Sequence, residues 1–163
     1  MSEQLVTDPL EFARGRRCIE GDIALSQCVR LQDRLASFDG AVHFKLSGFL
    51  NESGDPGLRC EVQSRLKVLC QRCLEPMDYS LQLDSSLLLT NDEQLFDVDD
   101  PEAPDRIPIQ RDLPVAALVE DEILLALPMA PHHAENVCKG PPAADTGKLH
   151  PFAVLARLKT HKE

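Results

Sequence analysis

Tryptophan is absent from this chain, and aromatic residues of every kind make up only 4% of its 163 residues. Sheets that bind RNA by stacking bases on surface aromatic rings are therefore not expected. Hydrophobic residues reach 43%, so the chain can form a core, but that core must be aliphatic. No apolar run approaches the roughly 18 residues of a membrane-spanning helix, and the first residues are polar, unlike a signal peptide. We expect a cytoplasmic protein with no membrane partner.

A surplus of basic residues is also missing. The 17 Lys and Arg residues face 27 Asp and Glu residues, which gives a formal net charge of −10 at pH 7. A protein that coats nucleic acid needs many cations opposite the phosphates, so this balance excludes a broadly basic RNA-binding surface. The balance does not exclude a local basic patch.

The six cysteines are not expected to form disulfides. A disulfide framework is typical of secreted chains, and no secretory signal is visible here. Cys18, Cys28 and Cys60 lie on strand or helix patterns, which predicts that they are small buried hydrophobic residues.

The hydrophobic pattern predicts an α+β fold around an antiparallel β-meander. Three runs alternate between apolar and polar residues at 42–48, 58–68 and 77–89, with short connections that favour antiparallel neighbours. A short strand is expected at 18–25 and a helix at 26–37, with Ser26 at its N-cap.

A helix near residues 112–127 is expected to pack across one face of the sheet. Asp112 can cap it, Pro114 suits its first turn, Leu125 falls on its apolar side, and Pro128 ends it. A second short helix is expected at 151–159. We expect a single domain, 1–163, with an acidic mobile loop at 91–105 and a loop-rich segment at 129–150.

Four residues in two motifs have the types and spacing of zinc ligands. Cys70 and Cys73 form a Cys-x-x-Cys between two predicted strands, as in a zinc knuckle, and His133 and Cys138 form the other compact cluster. Together they predict a structural Cys₃His zinc site. Free thiols without metal stay an alternative, since only the fold can join the two halves. Redox catalysis is less favoured, because no helix begins at Cys70 to lower its pKa.

Basic residues follow one side of the predicted second strand. Arg59, Arg65 and Lys67 share its outward parity and lead to Arg72 between the paired cysteines. These four residues form a candidate RNA-binding stripe. The alternative is an ordinary solvent-exposed sheet face, which requires polar residues at the same positions.

An acidic triplet, Glu120, Asp121 and Glu122, interrupts the apolar helix. It is a candidate binding site for a basic protein partner, and the alternative is a plain solvated surface. His132 and Glu135 could also serve a zinc-dependent hydrolase or nuclease acting on RNA, the enzymatic alternative. No phosphate-binding glycine loop, His-Glu-x-x-His or nucleophile-elbow motif supports an enzyme.

The order of these motifs resembles the YceD-type family, the large ribosomal RNA subunit accumulation proteins. The resemblance is carried by Cys70-Gln-Arg-Cys73, the acidic helix at 119–128, the loop from Pro131 through His133 to Cys138, and the closing segment at 151–159. Asp8-Pro9 and the strand near Gly21 also look like the beginning of that family.

The resemblance implies a cytoplasmic, bacterial-type protein that supports synthesis, processing or stability of large-subunit (23S) ribosomal RNA. It implies no established enzymatic activity. Contact with the RNA or its precursor, directly or through a ribosomal protein or assembly factor, stays open. By position, the four candidate zinc ligands match the family's paired cysteines and its later His and Cys.

Overall fold

The alternating runs of the sequence form the strands of one meander in the computed structural model, which describes residues 5–92, 105–134 and 137–138. The strands are β1 (Leu5–Val6), β2 (Cys18–Ala24), β3 (Leu35–Ser37), β4 (Ala41–Leu50), β5 (Pro56–Leu69), β6 (Pro76–Thr90), β7 (Asp105–Pro108) and β8 (Leu113–Pro114). The α-helices are α1 (Pro9–Arg14) and α2 (Val115–Ala126).

The main sheet has the strand order β2-β4-β5-β6-β7, and β3 pairs with the end of β5 beyond β4. Its central strands are antiparallel, with Leu46 opposite Cys60 and Cys60 opposite Ser85. The predicted α+β fold with an antiparallel sheet is confirmed. One strand departs from the meander, because β7 lies parallel to β6 and needs a crossover connection.

The core lies between the inner face of this sheet and α2, which packs on β5 and β6. Among the largest fully buried side chains, the aromatic Phe44 is the exception to an otherwise aliphatic set. The remaining members of that set are Leu25, Leu31, Leu46, Leu58, Leu66, Ile123, Val42, Val62, Val68, Val115 and Val119. The expectation of an aliphatic core is confirmed.

Helix α1 is an element that the sequence pattern did not predict. Asp8 caps it by accepting a hydrogen bond from the N–H of Glu11 at 2.9 Å, and Pro9 opens it. Asp8 and Glu11 have the spacing of a capping box, so the signal was present. The helix lies directly on β4 at Gly48, where an added Cβ would come within 2.5 Å of the carbonyl oxygen of Phe12. Gly48 therefore permits the close approach of helix and sheet.

The helix expected at 26–37 is wrong. Two short 3₁₀ helices, Leu25–Gln27 and Val29–Leu31, take its place and β3 follows them. Buried Leu25, Cys28 and Leu31 are three residues apart, which is the period of a 3₁₀ helix. Ser26 caps neither helix.

Helix α2 forms in the predicted region but begins later than expected. Asp112 does not cap it, because residues 113–114 pair with β1 as strand β8 and Pro114 takes the N-cap position. Leu125, expected on the apolar side, is 81% exposed. Asp105 begins β7 instead of ending a loop. Residues 93–104 of the acidic mobile loop expected at 91–105 and the helix expected at 151–159 lie outside the described residues.

Two of the three cysteines expected in the core are buried, Cys28 and Cys60, whereas Cys18 is exposed. Burial raises the pKa of the Cys28 thiol to about 11 and of the Cys60 thiol to about 12, and a nearby glutamate carboxylate adds to each shift. Both thiols are therefore protonated at neutral pH. No helix in the described part of the chain is long and apolar enough to cross a membrane.

Candidate metal centre

The connection between β5 and β6 folds as a tight turn around the Cys70 side chain. The N–H of Arg72 donates to Cys70 Sγ at 3.4 Å, and the N–H of Leu74 donates to the carbonyl oxygen of Cys70 at 2.8 Å. The N–H of Cys70 closes the base of the turn by donating to Glu75 O at 3.0 Å. Cys70 and Cys73 are both buried. The predicted knuckle geometry is present.

The loop after α2 supplies the other half of the centre. The N–H of Gln71 donates to the carbonyl oxygen of Pro131 at 2.8 Å, which fixes the loop against the turn. His133 Nδ1 then lies 3.4 Å from Cys73 Sγ, and Cys138 Sγ lies 3.8 Å from Cys70 Sγ. The ligand atoms of these four residues all lie within 4.8 Å of one another. The fold brings together the two motifs that the sequence left 60 residues apart.

These separations fit a tetrahedral zinc site. Two thiolates bound to one zinc ion at about 2.3 Å lie about 3.8 Å apart, and a thiolate and an imidazole nitrogen about 3.5 Å apart. The observed distances of 3.8 Å and 3.4 Å match both values. Three sulfur donors and one nitrogen donor are also the chemistry that zinc prefers in structural sites.

The electrostatics of the turn favour a thiolate at Cys70. Burial by itself raises the pKa of this thiol, but hydrogen bonds from three nearby backbone N–H groups and from the Cys73 side chain lower it to about 5. Metal ligation requires the deprotonated sulfur, so the backbone supplies part of the stabilisation that a bound cation would complete.

His132, named in the enzymatic alternative, is exposed and is not part of the four-residue cluster. Glu135 lies outside the described residues. Four protein side chains already supply a complete tetrahedron, whereas a catalytic zinc keeps one position open for water. Four ligand atoms from the protein therefore fit a closed metal site better than a site with an open position.

The four candidate RNA-binding residues are exposed, but their charges are not equally available. Arg59 forms an ion pair with Asp84, its Nε donating to Oδ1 at 2.7 Å, and this pair raises the pKa of Arg59 and lowers that of Asp84. Within the described ranges, Arg65, Lys67 and Arg72 form no ion pair. Three of the four cations in the candidate RNA-binding stripe thus have charges that are unpaired within the described ranges, fewer than the sequence predicts.

The acidic triplet is not the exposed surface that the sequence predicts. Glu120 is 7% exposed, Glu122 is 8% exposed, and of the three only Asp121 faces solvent. Glu120 Oε1 accepts hydrogen bonds from the N–H groups of Arg30 at 2.6 Å and Leu31 at 3.1 Å. Its carboxylate thereby caps the second 3₁₀ helix, so Glu120 makes an internal contact.

Arg30 completes this contact, and the sequence pattern did not predict its role. Its Nε donates to Glu120 Oε2 at 3.1 Å, its guanidinium also pairs with Asp121, and Nη2 donates to the carbonyl oxygen of Ala117 at 2.9 Å. These hydrogen bonds to Asp121 and Glu120 raise the pKa of Arg30. Because Arg30 and Glu120 are 90 positions apart, no local pattern could have paired them.

Comparison with known proteins places these features in a family. The sequence model described as "Large ribosomal RNA subunit accumulation protein YceD" matches residues 58–159, more than half of the chain and including all four candidate ligands. A protein of that name from Haemophilus influenzae is 28% identical over 165 residues, which cover 95% of each chain. No solved structure matches the chain. The chain therefore belongs to the YceD family of large ribosomal RNA subunit accumulation proteins.

Proposed function

We propose that this chain is a cytoplasmic, non-catalytic factor that supports the accumulation of large-subunit ribosomal RNA. Membership of the YceD family carries the proposal, since the family description and the Haemophilus influenzae relative both name this role. The factor acts on synthesis, processing or stability of the RNA, either by direct contact or through a ribosomal protein or assembly factor.

A structural zinc ion is the second part of the proposal. Cys70, Cys73, His133 and Cys138 hold it and join the β5–β6 turn to the loop after α2. Zinc sites do not exist in the unfolded chain, so the binding free energy of the ion becomes folding free energy. The complete set of four ligands supports this role over the hydrolytic one, which needs an open coordination position.

Direct RNA contact is assigned to the outer face of β5 and to the knuckle. Arg65 and Lys67 are exposed next to each other on this face, and Arg72 is exposed at the turn. These three cations form no ion pair within the described ranges and are available to phosphates. Arg59 is paired with Asp84, so it can bind a phosphate only after that ion pair breaks. Three cations suit contact with a few phosphates of the RNA backbone, which agrees with the negative net charge of the whole chain.

The proposal is tested in cells depleted of the protein and complemented with variants. Depletion is expected to lower 23S relative to 16S ribosomal RNA, and the wild-type chain is expected to restore the ratio. Arg65→Glu with Lys67→Glu is expected to restore it poorly if these side chains hold RNA, while Glu52→Lys, a single charge reversal in the β4–β5 turn, should restore it fully. Quantification of both RNAs by blotting gives the readout.

A tagged pulldown at low salt, with and without ribonuclease, separates the two routes to the RNA. Proteins that stay bound after ribonuclease point to action through a partner, and large-subunit RNA that is lost in the Arg65 and Lys67 variant points to direct contact. An unchanged 23S to 16S ratio on depletion would contradict the proposed function.

A further inference from the structure

A groove of about 620 Å³ lies beside the start of β2, far along the chain from the candidate zinc ligands. Its lining is mixed: the apolar residues Leu5, Val6, Phe12 and Ile19 lie beside the polar or charged residues Thr7, Asp8, Glu11 and Arg17, and beside Cys18. Of these apolar side chains, Leu5 is half exposed and Ile19 is partly exposed, whereas Val6 and Phe12 are buried in the core. The groove therefore offers space beside Leu5 and Ile19 for an apolar side chain, next to the charged side chains of Asp8, Glu11 and Arg17.

Strand β2 forms one edge of the main sheet and pairs, within the described residues, only with β4. The N–H of Gly48 donates to Arg17 O at 2.8 Å and that of Leu25 to Gly40 O at 3.1 Å. In an antiparallel pair, alternate residues bond to the neighbour, so odd-numbered residues of β2 face β4. The even-numbered residues Cys18, Glu20 and Asp22 direct their N–H and C=O groups to the open edge.

The side chains of these same three residues point to the outer face of the sheet, and two of them are acidic. Glu20 lies opposite Lys45, but Lys45 pairs with Glu61 at 3.4 Å. Glu20 thus has no ion pair in the part of the chain that the structure describes. Asp22 lies 3.1 Å from His43 Nδ1, a partner that is charged only when protonated. The outer side of this edge is negative.

We propose that the edge of β2 binds an extended segment of a basic partner protein by strand addition. A strand added to β2 would direct alternate side chains to its two faces. Apolar side chains would enter the groove beside Ile19, and lysine or arginine side chains would lie next to Glu20 and Asp22. The site extends the proposed function by naming a class of protein partner, and it replaces the acidic triplet of α2 in that role.

The probe is a soluble peptide of alternating lysine and valine with the 7-residue length of β2. In the free protein, the amides of Cys18, Glu20 and Asp22 are expected to exchange rapidly with solvent, and those of Ile19, Gly21 and Ile23 slowly. Binding of the peptide is expected to protect the first set, as read residue by residue by NMR. The same peptide with alternate amides N-methylated keeps its charge but cannot add to the ladder, and it should not bind.

Two variants separate hydrogen bonding from charge. Glu20→Pro removes an N–H that faces the open edge and is expected to weaken peptide binding about tenfold. Glu20→Gln removes the charge alone and should weaken it by no more than about fivefold. Glu52→Gln removes one charge from the β4–β5 turn and should leave the affinity unchanged.

Several outcomes would overturn the proposal. Equal binding of the N-methylated peptide would mean general attraction to an acidic protein. Slow exchange at Cys18, Glu20 and Asp22 in the free full-length chain would mean that the chain covers its own edge. Protection of these amides by a single-stranded RNA probe instead of the peptide would make the edge an RNA site. Because the readout is peptide binding, each of these results leaves the proposed role in RNA accumulation untouched.

Discussion

The two hairpin connections of the central sheet, β4–β5 and β5–β6, are closed by different means. In the β4–β5 turn, Asn51 and Asp55 bond to each other through backbone and side chain, with the N–H of Asp55 donating to Asn51 Oδ1 at 2.7 Å. Gly54 supplies the positive φ of +85° that the turn needs. Every part of this closure comes from five consecutive residues.

The β5–β6 turn closes only with help from distant chain. Its Leu74 has a φ of +60°, a conformation that costs an ordinary residue free energy, and its two cysteines face His133 and Cys138. Pro131 O accepts the N–H of Gln71. The first turn therefore forms from local contacts alone, whereas the second also contacts the loop after α2, which supplies the other two candidate ligands.

The largest effect should come from breaking the second closure. Cys73→Ser or Cys138→Ser is expected to abolish zinc binding and lower the Tm by more than about 10 °C, because loss of a structural metal removes folding free energy. Asn51→Ala in the other turn should cost about 1 kcal/mol. Elemental analysis and thermal unfolding measure both, and Cys18→Ser is the control for loss of an exposed thiol.

Chelation extends the same prediction to the wild-type chain. Removal of zinc should lower its Tm as the Cys73→Ser change does and should leave the Tm of that variant unchanged. A purified wild-type protein that is fully folded without metal would contradict the structural role of the zinc site.

A smaller effect is expected at the other long-range closure, between Glu120 and Arg30. Glu120→Ala leaves two backbone N–H groups and the Arg30 guanidinium without this acceptor, and it should cost about 2–3 kcal/mol. Asp121→Ala removes only an exposed ion pair and should cost less than about 1 kcal/mol. Urea unfolding midpoints at constant slope compare the two variants. Equal losses would mean that the cap of the 3₁₀ helix contributes nothing.

The difference between local and distant closure also explains what the sequence could predict. Strands at 42–48, 58–68 and 77–89 were predicted because alternation is a local signal that the sheet keeps. Cys70, Cys73, His133 and Cys138 could be grouped from the sequence as candidate ligands because Cys and His in compact motifs restrict the chemistry, and the fold brings their ligand atoms within 4.8 Å of one another. The α2 helix was found from its apolar residues and its closing Pro128.

The wrong structural predictions concern residues whose contacts are distant in sequence. Burial of Glu120 depends on Arg30, and a run of Glu-Asp-Glu taken alone is typical of a surface. The segment at 26–37 had apolar residues compatible with a helix, but the Glu120 carboxylate caps a 3₁₀ helix there and Leu35 pairs with Val68 in the sheet. Strand β7 pairs with β6 in parallel after a crossover, and no local sequence pattern predicts this pairing.

The smallest effects are expected from two substitutions that introduce a glycine in one turn and remove a glycine from the other. Leu74 is 63% exposed and loses little packing when truncated, so Leu74→Gly should raise the free energy of unfolding by about 0.5–1 kcal/mol, the relief of strain less the greater entropy of unfolded glycine. An added Cβ at Gly54 meets no atom within 4 Å, so Gly54→Ala should lower that free energy by about 1 kcal/mol through φ alone.

Urea unfolding of both variants against the wild type, with zinc present throughout, measures these two changes. Opposite signs would show that the β5–β6 turn tolerates a strained residue because the ligands and the Pro131 contact hold it, while the β4–β5 turn relies on glycine. Destabilisation by Leu74→Gly would instead mean that the Leu74 side chain itself stabilises the knuckle. In that case the strain at this position would not be what separates the two turns, and the difference between them would rest on the candidate zinc ligands and the Pro131 contact.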